Sequence, residues 1–421
     1  MATFERATLS NGVRVLLAPV PTAQSVTCVV MFAAGSRYET HETSGIAHFA
    51  EHMFFKGTDR RPTARDISAE IDGIGGEFNA FTGKETTGYY VKCAAETRDT
   101  ALDVLADMLR SSKFDADEIE REKGVIVEEM NMYFDTPRSY VGSVYERLLY
   151  GDQPLGWDII GRRESVRAAT RETFLSYLDR WYRPERTVIG IGGKLGDGLI
   201  EKLEELFGDV AAAPTGPYAA VELSANGASV GVHSKQSDQA HLILGARGYE
   251  TAHPDRYAVQ LLGTVLGGGM SSRLFTEVRE RRGLAYYVFA GGSSYADAGS
   301  FSAQAGVDIA RIDDAIATIV EELRRTVTEP VPAPELEKAR NFTKGRFVLG
   351  LESPYGTLMF GLRREVLEER APEPEEILAG IEAVTVDDVQ RVAADILGKR
   401  LFLAVIGPFD GPERFEPLVA T

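Results

Sequence analysis

The feature that most constrains the fold is a pattern that begins again halfway along the chain. The tripeptide Tyr-Glu-Thr occurs at 38–40 and returns 211 residues later at 249–251. Thr170 and Thr385, which lie 215 residues apart, each precede a helix-like segment and then an apolar strand-like segment. Self-similarity at so long a period indicates duplication of a structural unit. The chain is therefore expected to contain two homologous domains of about 200 residues each.

Both halves combine strand-like and helix-like segments. In the first half, apolar patterns predict strands near 13–20, 25–33 and 77–93 and a short helix near 63–73, and helical periodicity then dominates to about 180. The segment from Arg186 returns to a strand pattern. The predicted class is α+β, with an antiparallel-rich sheet packed with helices in each domain.

A stretch from about 209 to 228 separates the two halves. It contains small residues and prolines and has no apolar periodicity, which is typical of a linker. The predicted organisation is an N-terminal domain over 1–212, a linker over 213–228 and a C-terminal domain over 229–421.

Composition argues against several classes of partner. The formal net charge of −17 disfavours binding to nucleic acid or to an anionic membrane surface. No apolar run approaches the roughly 18 to 20 residues that a membrane span needs. Cys28 and Cys93 both lie in apolar strand-like runs, and the N-terminus shows no export signal. These observations predict a cytoplasmic protein.

One apolar helix-like segment carries three residues that suit metal chemistry. His48 and His52 are four residues apart, so their side chains lie on one helix face and can hold a single metal ion. Glu51 points to the same side and is free to act as a general base, as in the inverted H-x-x-E-H arrangement of zinc enzymes. Burial of two histidines and a glutamate together would be costly without a metal or strong pairing among polar groups.

A third metal ligand must come from elsewhere in the chain, because catalytic zinc usually has three protein ligands. The segment 118–130 has acidic and apolar residues at helical spacing, and Glu122 and Glu129 share a face. Glu128 points about 100° away from Glu129. Periodicity alone does not choose between these two neighbours.

Four motifs of the first half resemble the pitrilysin family, which includes insulin-degrading enzyme, the mitochondrial processing peptidase and compact bacterial relatives. They are Gly35–Glu39, Gly45–Thr58, Asn79–Thr82 and Glu122–Glu129. The resemblance implies that Glu129 is the third zinc ligand. It also implies that Glu122 does not bind the metal itself but orients a ligand or the substrate. It also implies one zinc ion per chain.

The resemblance extends to substrate-binding residues in both halves. Arg279 and Tyr286 look like the family's pair that binds substrate backbone and stabilises the tetrahedral intermediate; Ala285 stands where relatives often have glycine. Asn79 and Ala80 lie on the strand that pairs with extended substrate in the family. From the residues alone, Asn79 and Ala80 could equally be structural, and Arg279 could be a surface arginine.

The second half lacks the metal-binding residues. At the offset of 211, Val259, Leu262 and Gly263 stand at the positions of His48, Glu51 and His52. This half is expected to be metal-free and to supply Arg279 and Tyr286. The resemblance further implies that the chain forms half of a clam-shell chamber as a homodimer, with a heterodimer of related chains as an alternative.

The resulting expectation is a zinc metalloendopeptidase acting on unfolded peptides or presequence-like segments, with Glu51 activating a zinc-bound water. Tyr286 would donate to the developing oxyanion. Two alternatives stay open. The chain could be a non-catalytic scaffold subunit, or it could be an obligate partner that is active only with a related chain.

Overall fold

The structure is a computed structural model that describes residues 4–224 and 227–420. Over these residues the strands are β1 (Glu5–Thr8), β2 (Arg14–Pro19), β3 (Ser25–Phe32), β4 (Glu77–Thr82), β5 (Thr87–Ala94), β6 (Thr187–Gly193), β7 (Val230–Ser234), β8 (Ala240–Gly248), β9 (Ala285–Ser294), β10 (Gly299–Val307) and β11 (Phe402–Gly407). The strands predicted in the first half are all present. The short strand β1 was not predicted, since its four residues are mostly exposed and show no apolar pattern.

Helices account for much of the remaining chain. They are α1 (Ile46–Met53), α2 (Ala64–Gly73), α3 (Arg98–Ser111), α4 (Ala116–Phe134), α5 (Pro137–Tyr150), α6 (Arg163–Ala168), α7 (Arg171–Trp181), α8 (Leu199–Phe207), α9 (Arg256–Gly267), α10 (Ile312–Thr328), α11 (Ala333–Gly350), α12 (Pro354–Glu368), α13 (Pro374–Ala383), α14 (Val386–Leu397) and α15 (Glu416–Val419). A π-helix spans Phe275–Arg281. Among the described residues, no helix is both long enough and apolar enough to cross a membrane.

The two sheets repeat one topology. The first has the order β1-β2-β6-β3-β5-β4 and the second has the order β7-β11-β8-β10-β9. In both, one strand pair is parallel, β2 with β6 and β7 with β11, and the other pairs are antiparallel. Thr170 and Thr385 both begin a helix with a capping box. The predicted α+β class and the duplicated design are confirmed.

The compact units of the structure differ from contiguous halves of the sequence. One unit contains the described chain up to Met130, Trp157–Ala219 and Val348–Glu376, and the other contains Asn131–Gly156, Ala220–Phe347 and the chain from Ile377 onwards. The predicted segments 1–212, 213–228 and 229–421 therefore stay a prediction about the sequence repeat. They do not describe the packing, because each sheet is covered by a helix from the other half.

In the first unit, the exchanged helix is α12, and glycines on the sheet make room for it. A Cβ added at Gly190 would lie 2.8 Å from Leu362, and one added at Gly192 would lie 2.9 Å from Leu358. Both leucines are fully buried against the first sheet. In the second unit, helix α5 fills the equivalent role, with Tyr145 packed in the core beside β8 and β11.

Truncation of Leu362 to alanine should destabilise the first unit, although the residue lies late in the sequence. Removing a buried leucine side chain typically costs about 2–5 kcal/mol in the free energy of unfolding. Both tryptophans, Trp157 and Trp181, lie in this unit. Urea unfolding followed by tryptophan fluorescence should therefore show a lower midpoint for Leu362→Ala and little change for the exposed Arg363→Ala. An unchanged midpoint for Leu362→Ala would contradict the exchanged packing.

Candidate metal centre

Helix α1 buries every side chain except its three polar ones. The apolar residues Ile46, Ala47, Phe49, Ala50 and Met53 are buried in the first unit. His48, Glu51 and His52 are half-buried on the remaining face. The apolar stripe thus fixes the rotation of the helix, and the rotation presents all three polar groups on one side.

A buried glutamate holds the start of this helix. Oε2 of Glu39 accepts a hydrogen bond from the amide of Gly45 at 2.7 Å, and Oε1 accepts one from the amide of Ala47 at 2.8 Å. Gly45 has φ of 95°, and a Cβ there would lie 2.7 Å from the carbonyl oxygen of Ile160. Burial raises the pKa of Glu39 to about 8, and the two amide donors oppose the rise. Sequence reasoning missed this role, although Glu39 ends one of the quoted motifs.

Replacing Glu39 with alanine should weaken the whole candidate site. The change leaves two buried amides at the start of α1 without a partner, and we expect a loss of about 3 kcal/mol in the free energy of unfolding. Chemical unfolding should detect it, with the exposed Glu42→Ala as the control. A variant as stable as the parent would show that Glu39 does not anchor the helix.

Helix α4 brings one carboxylate to both histidines. Nε2 of His48 lies 3.7 Å from Oε1 of Glu129, and Nε2 of His52 lies 3.6 Å from Oε2 of Glu129. The ligand atoms of the three residues all lie within 4.8 Å of one another. Tetrahedral zinc with bonds of about 2.0–2.1 Å separates its ligand atoms by roughly 3.4 Å. The three donors fit such an ion with small side-chain shifts.

The pKa of His48 and the hydrogen bond of His52 also suit a metal. Burial, with the neighbouring His52, lowers the pKa of His48 to about 4, so this imidazole is neutral at pH 7 and keeps a lone pair for a ligand bond. Nδ1 of His52 lies 2.9 Å from Oε1 of Glu122. A proton on that nitrogen leaves Nε2 of His52 available on the side of Glu129.

Glu122 is placed to support His52. It is buried, and its other oxygen lies 2.5 Å from Nζ of Lys56. Burial alone raises the pKa of Glu122, but the bonds to His52 and Lys56 outweigh it and leave the pKa lowered. An ionised Glu122 can therefore hold the imidazole in one orientation. Lys56 was not singled out from the sequence.

Glu122→Gln should reduce zinc affinity by about 10–100-fold, the usual effect of losing a carboxylate that orients a metal-binding histidine. Competition with a chromophoric zinc chelator measures the change. Glu120→Gln is the matched control, because Glu120 lies on the same helix and pairs with Lys123 at the surface. Equal zinc affinity in the parent and in Glu122→Gln would show that Glu122 does not support the metal-binding histidine.

Glu51 lies beside the metal-binding cluster without belonging to it. Its Oε2 accepts a hydrogen bond of 2.5 Å from the hydroxyl of Thr82, at the end of β4. Burial raises the pKa of Glu51, and the bond from Thr82 acts in the opposite direction. The carboxylate is therefore held by one oxygen and has the other available for a proton. Thr82 fell within a quoted motif, but no role had been predicted for it.

The predicted substrate-binding residues lie in both units. In the first unit, Asn79 and Ala80 are on β4, which pairs with β5 on one side and ends the sheet on the other. In the second unit, the guanidinium of Arg279 lies 5.5 Å from the ring of Tyr286, and Tyr286 is 72% exposed. The equivalent of α1 is α9, which carries Val259, Leu262 and Gly263.

Comparison with family models covers most of the chain. Residues 14–162 match the model described as Insulinase (Peptidase family M16). Residues 168–342 match the model described as Peptidase M16 inactive domain. The first match includes all the residues of the metal-binding cluster, and the second includes Arg279 and Tyr286.

Individual proteins agree with these matches. A Bacillus subtilis (strain 168) protein named uncharacterized zinc protease YmxG is 38% identical over 405 residues, covering 96% of this chain and 98% of that protein. A Streptomyces coelicolor protein named uncharacterized zinc protease SCO5738 is 36% identical over 416 residues, covering 97% of this chain and 90% of that protein. A solved protease from Helicobacter pylori shares the fold, with a TM-score of 0.87 at 22% identity over 97% of this chain and 100% of that one. The resemblance drawn from the sequence is thereby confirmed, and the chain belongs to peptidase family M16.

Proposed function

We propose that the chain is a zinc metalloendopeptidase that hydrolyses unfolded peptides or presequence-like segments. The convergence of His48, His52 and Glu129 on one point carries the proposal, with Glu51 on the same helix face outside the cluster. Such a set offers three protein ligands and leaves a fourth position open, as catalytic zinc sites do. The name zinc protease, borne by the relatives, supports zinc as the metal.

Zinc held by His48, His52 and Glu129 would supply Lewis acidity, which would polarise a peptide carbonyl and lower the pKa of water towards 7. Glu51 then accepts the proton of the attacking water and passes it to the leaving amine. Thr82 orients the carboxylate through Oε2, so Oε1 performs the transfer. The raised pKa of Glu51 favours this role. A general base works best when its pKa is near the operating pH, and the pKa of an ordinary carboxylate is well below 7.

The substrate in this proposal binds as an added strand. The outer edge of β4 offers backbone groups next to Asn79 and Ala80, and extended peptides pair with such edges. Arg279 and Tyr286 are assigned to the substrate backbone and to the developing oxyanion, and the exposed ring of Tyr286 suits such a role. Only an unfolded segment presents a free backbone for pairing, which favours unstructured substrates. The net charge of −17 favours basic ones.

Assembly as a homodimer and a cytoplasmic location complete the proposal. The purified chain, without any partner, should cleave a quenched unstructured peptide and leave a stably folded protein intact. Cleavage that appears only when a related chain is added would favour the obligate heterodimer. Absence of cleavage in both cases would favour the non-catalytic scaffold.

A further inference from the structure

A charged pocket of about 380 Å³ lies in the second unit, next to the π-helix Phe275–Arg281. The π-helix, α10 and the start of α11 supply half of its lining residues, and the segments that adjoin these elements supply the rest. The lining contains four glutamates and three arginines, so it carries one excess negative charge. Small-molecule sites run from about 300 to 1,000 Å³, and this volume suits a compact ligand.

Most of the lining charges are paired with each other. Arg273 binds Glu335 through two hydrogen bonds of 3.0 and 2.7 Å, and Arg325 lies 2.9 Å from Glu329. Glu322 is the exception. Among the described residues its nearest cation is Arg325, 3.7 Å from Oε1, and Oε2 has no hydrogen-bond partner there although Glu322 is only 5% exposed.

Two further polar atoms of the lining are buried and have no hydrogen-bond partner in the part of the chain that the structure describes. They are Nη1 of Arg273 and the hydroxyl oxygen of Ser272. Buried polar groups are normally paired, so an acceptor and two donors at one pocket indicate a ligand with complementary groups. A simple cation would leave the donors of Arg273 and Ser272 unpaired. A simple anion would be repelled by the unpaired carboxylate oxygen of Glu322.

We propose that this pocket binds an α-amino acid zwitterion, with the ammonium group at Glu322 and the carboxylate at Arg273 and Ser272. The excess negative charge of the lining favours amino acids with a basic side chain. Burial also raises the pKa of Glu322, although the charge of Arg325 opposes the rise. A ligand ammonium would bind Oε2 of Glu322, the oxygen on the side away from the contact with Arg325 that Oε1 makes.

The pocket shares its π-helix with a predicted substrate-binding residue. Thr276, Glu277 and Arg281 face the pocket, whereas Arg279 lies against Phe275 and Tyr286. Short π-helical segments are common at functional sites. Occupation of the pocket should therefore change the KM for peptides through Arg279, a step that rests on the proposed function.

Isothermal titration of the full chain with L-lysine tests the binding itself without any peptide substrate. We expect saturable binding that is at least about tenfold weaker for cadaverine, which lacks the carboxylate, and for Glu322→Gln. Glu321→Gln is the matched control, since the neighbouring Glu321 is exposed and pairs with Arg282 outside the pocket. Glu322→Gln keeps the side-chain shape and removes a buried charge, so it should fold normally, which circular dichroism checks.

Two results would overturn the proposal. One is the absence of saturable binding of L-lysine to the parent chain. The other is equal binding to the parent and Glu322→Gln, which would place the amino acid elsewhere, for example on a bound metal ion. Either result leaves the peptidase activity untouched, so failure of this inference is distinct from failure of the proposed function.

Discussion

Glu51→Gln is expected to lower kcat for peptide cleavage by at least about 10²–10⁴-fold and to leave bound zinc unchanged. Glutamine cannot accept the proton that a general base must take, and base catalysis usually contributes a factor of this size. Its amide oxygen can still accept the hydrogen bond from Thr82, so the local structure should persist. The rate on a quenched peptide and the zinc content of the same preparation, measured by mass spectrometry, check both parts.

Thr82→Val provides a graded comparison for this experiment. It removes the hydroxyl that orients Glu51 and leaves the carboxylate in place, so kcat should fall by less than in Glu51→Gln. If Glu51→Gln cleaved peptide as fast as the parent, the base would have to be another group. Loss of zinc from Glu51→Gln would instead mean that Glu51 serves as a ligand.

Glu129→Ala should release the metal, whereas Glu128→Ala should retain it. Glu129 faces both histidines, and the adjacent Glu128 is exposed on a different side of α4. Loss of a direct ligand should lower zinc affinity by more than the 10–100-fold expected for Glu122→Gln. Cleavage should fall to background in Glu129→Ala at zinc concentrations that saturate the parent chain.

The pair of adjacent variants makes this test selective. Both changes remove one negative charge from the same turn of the same helix, so a general electrostatic effect would be similar in the two. Zinc loss in Glu128→Ala, or full zinc binding in Glu129→Ala, would contradict the geometry of the candidate centre.

Local sequence patterns predicted helix α1 and its polar face, because the spacing of His48, Glu51 and His52 within an apolar segment leaves one possible rotation. The choice between Glu128 and Glu129 depends on how α4 is rotated against α1. That rotation is a tertiary property, which periodicity does not contain, and only the family resemblance resolved it.

Side-chain contacts that lie outside helix and strand periodicity were the part that could not be predicted. The bond from Thr82 to Glu51 depends on the path of β4, and the anchoring of α1 by Glu39 depends on a loop that returns to the helix start. Likewise, the sequence shows that α12 has an apolar face but not which sheet it covers. The exchange of α5 and α12 between the two halves of the sequence is therefore visible only in the structure.

The most direct test of the central claim is the zinc content of the purified chain together with its cleavage of a quenched peptide, before and after chelation and after zinc is restored. The proposed function predicts about one zinc per chain, activity that disappears with the chelator, and recovery on adding zinc. A chain that holds no zinc and cleaves peptide equally well in the chelator would contradict it, and so would a zinc-loaded chain with no activity.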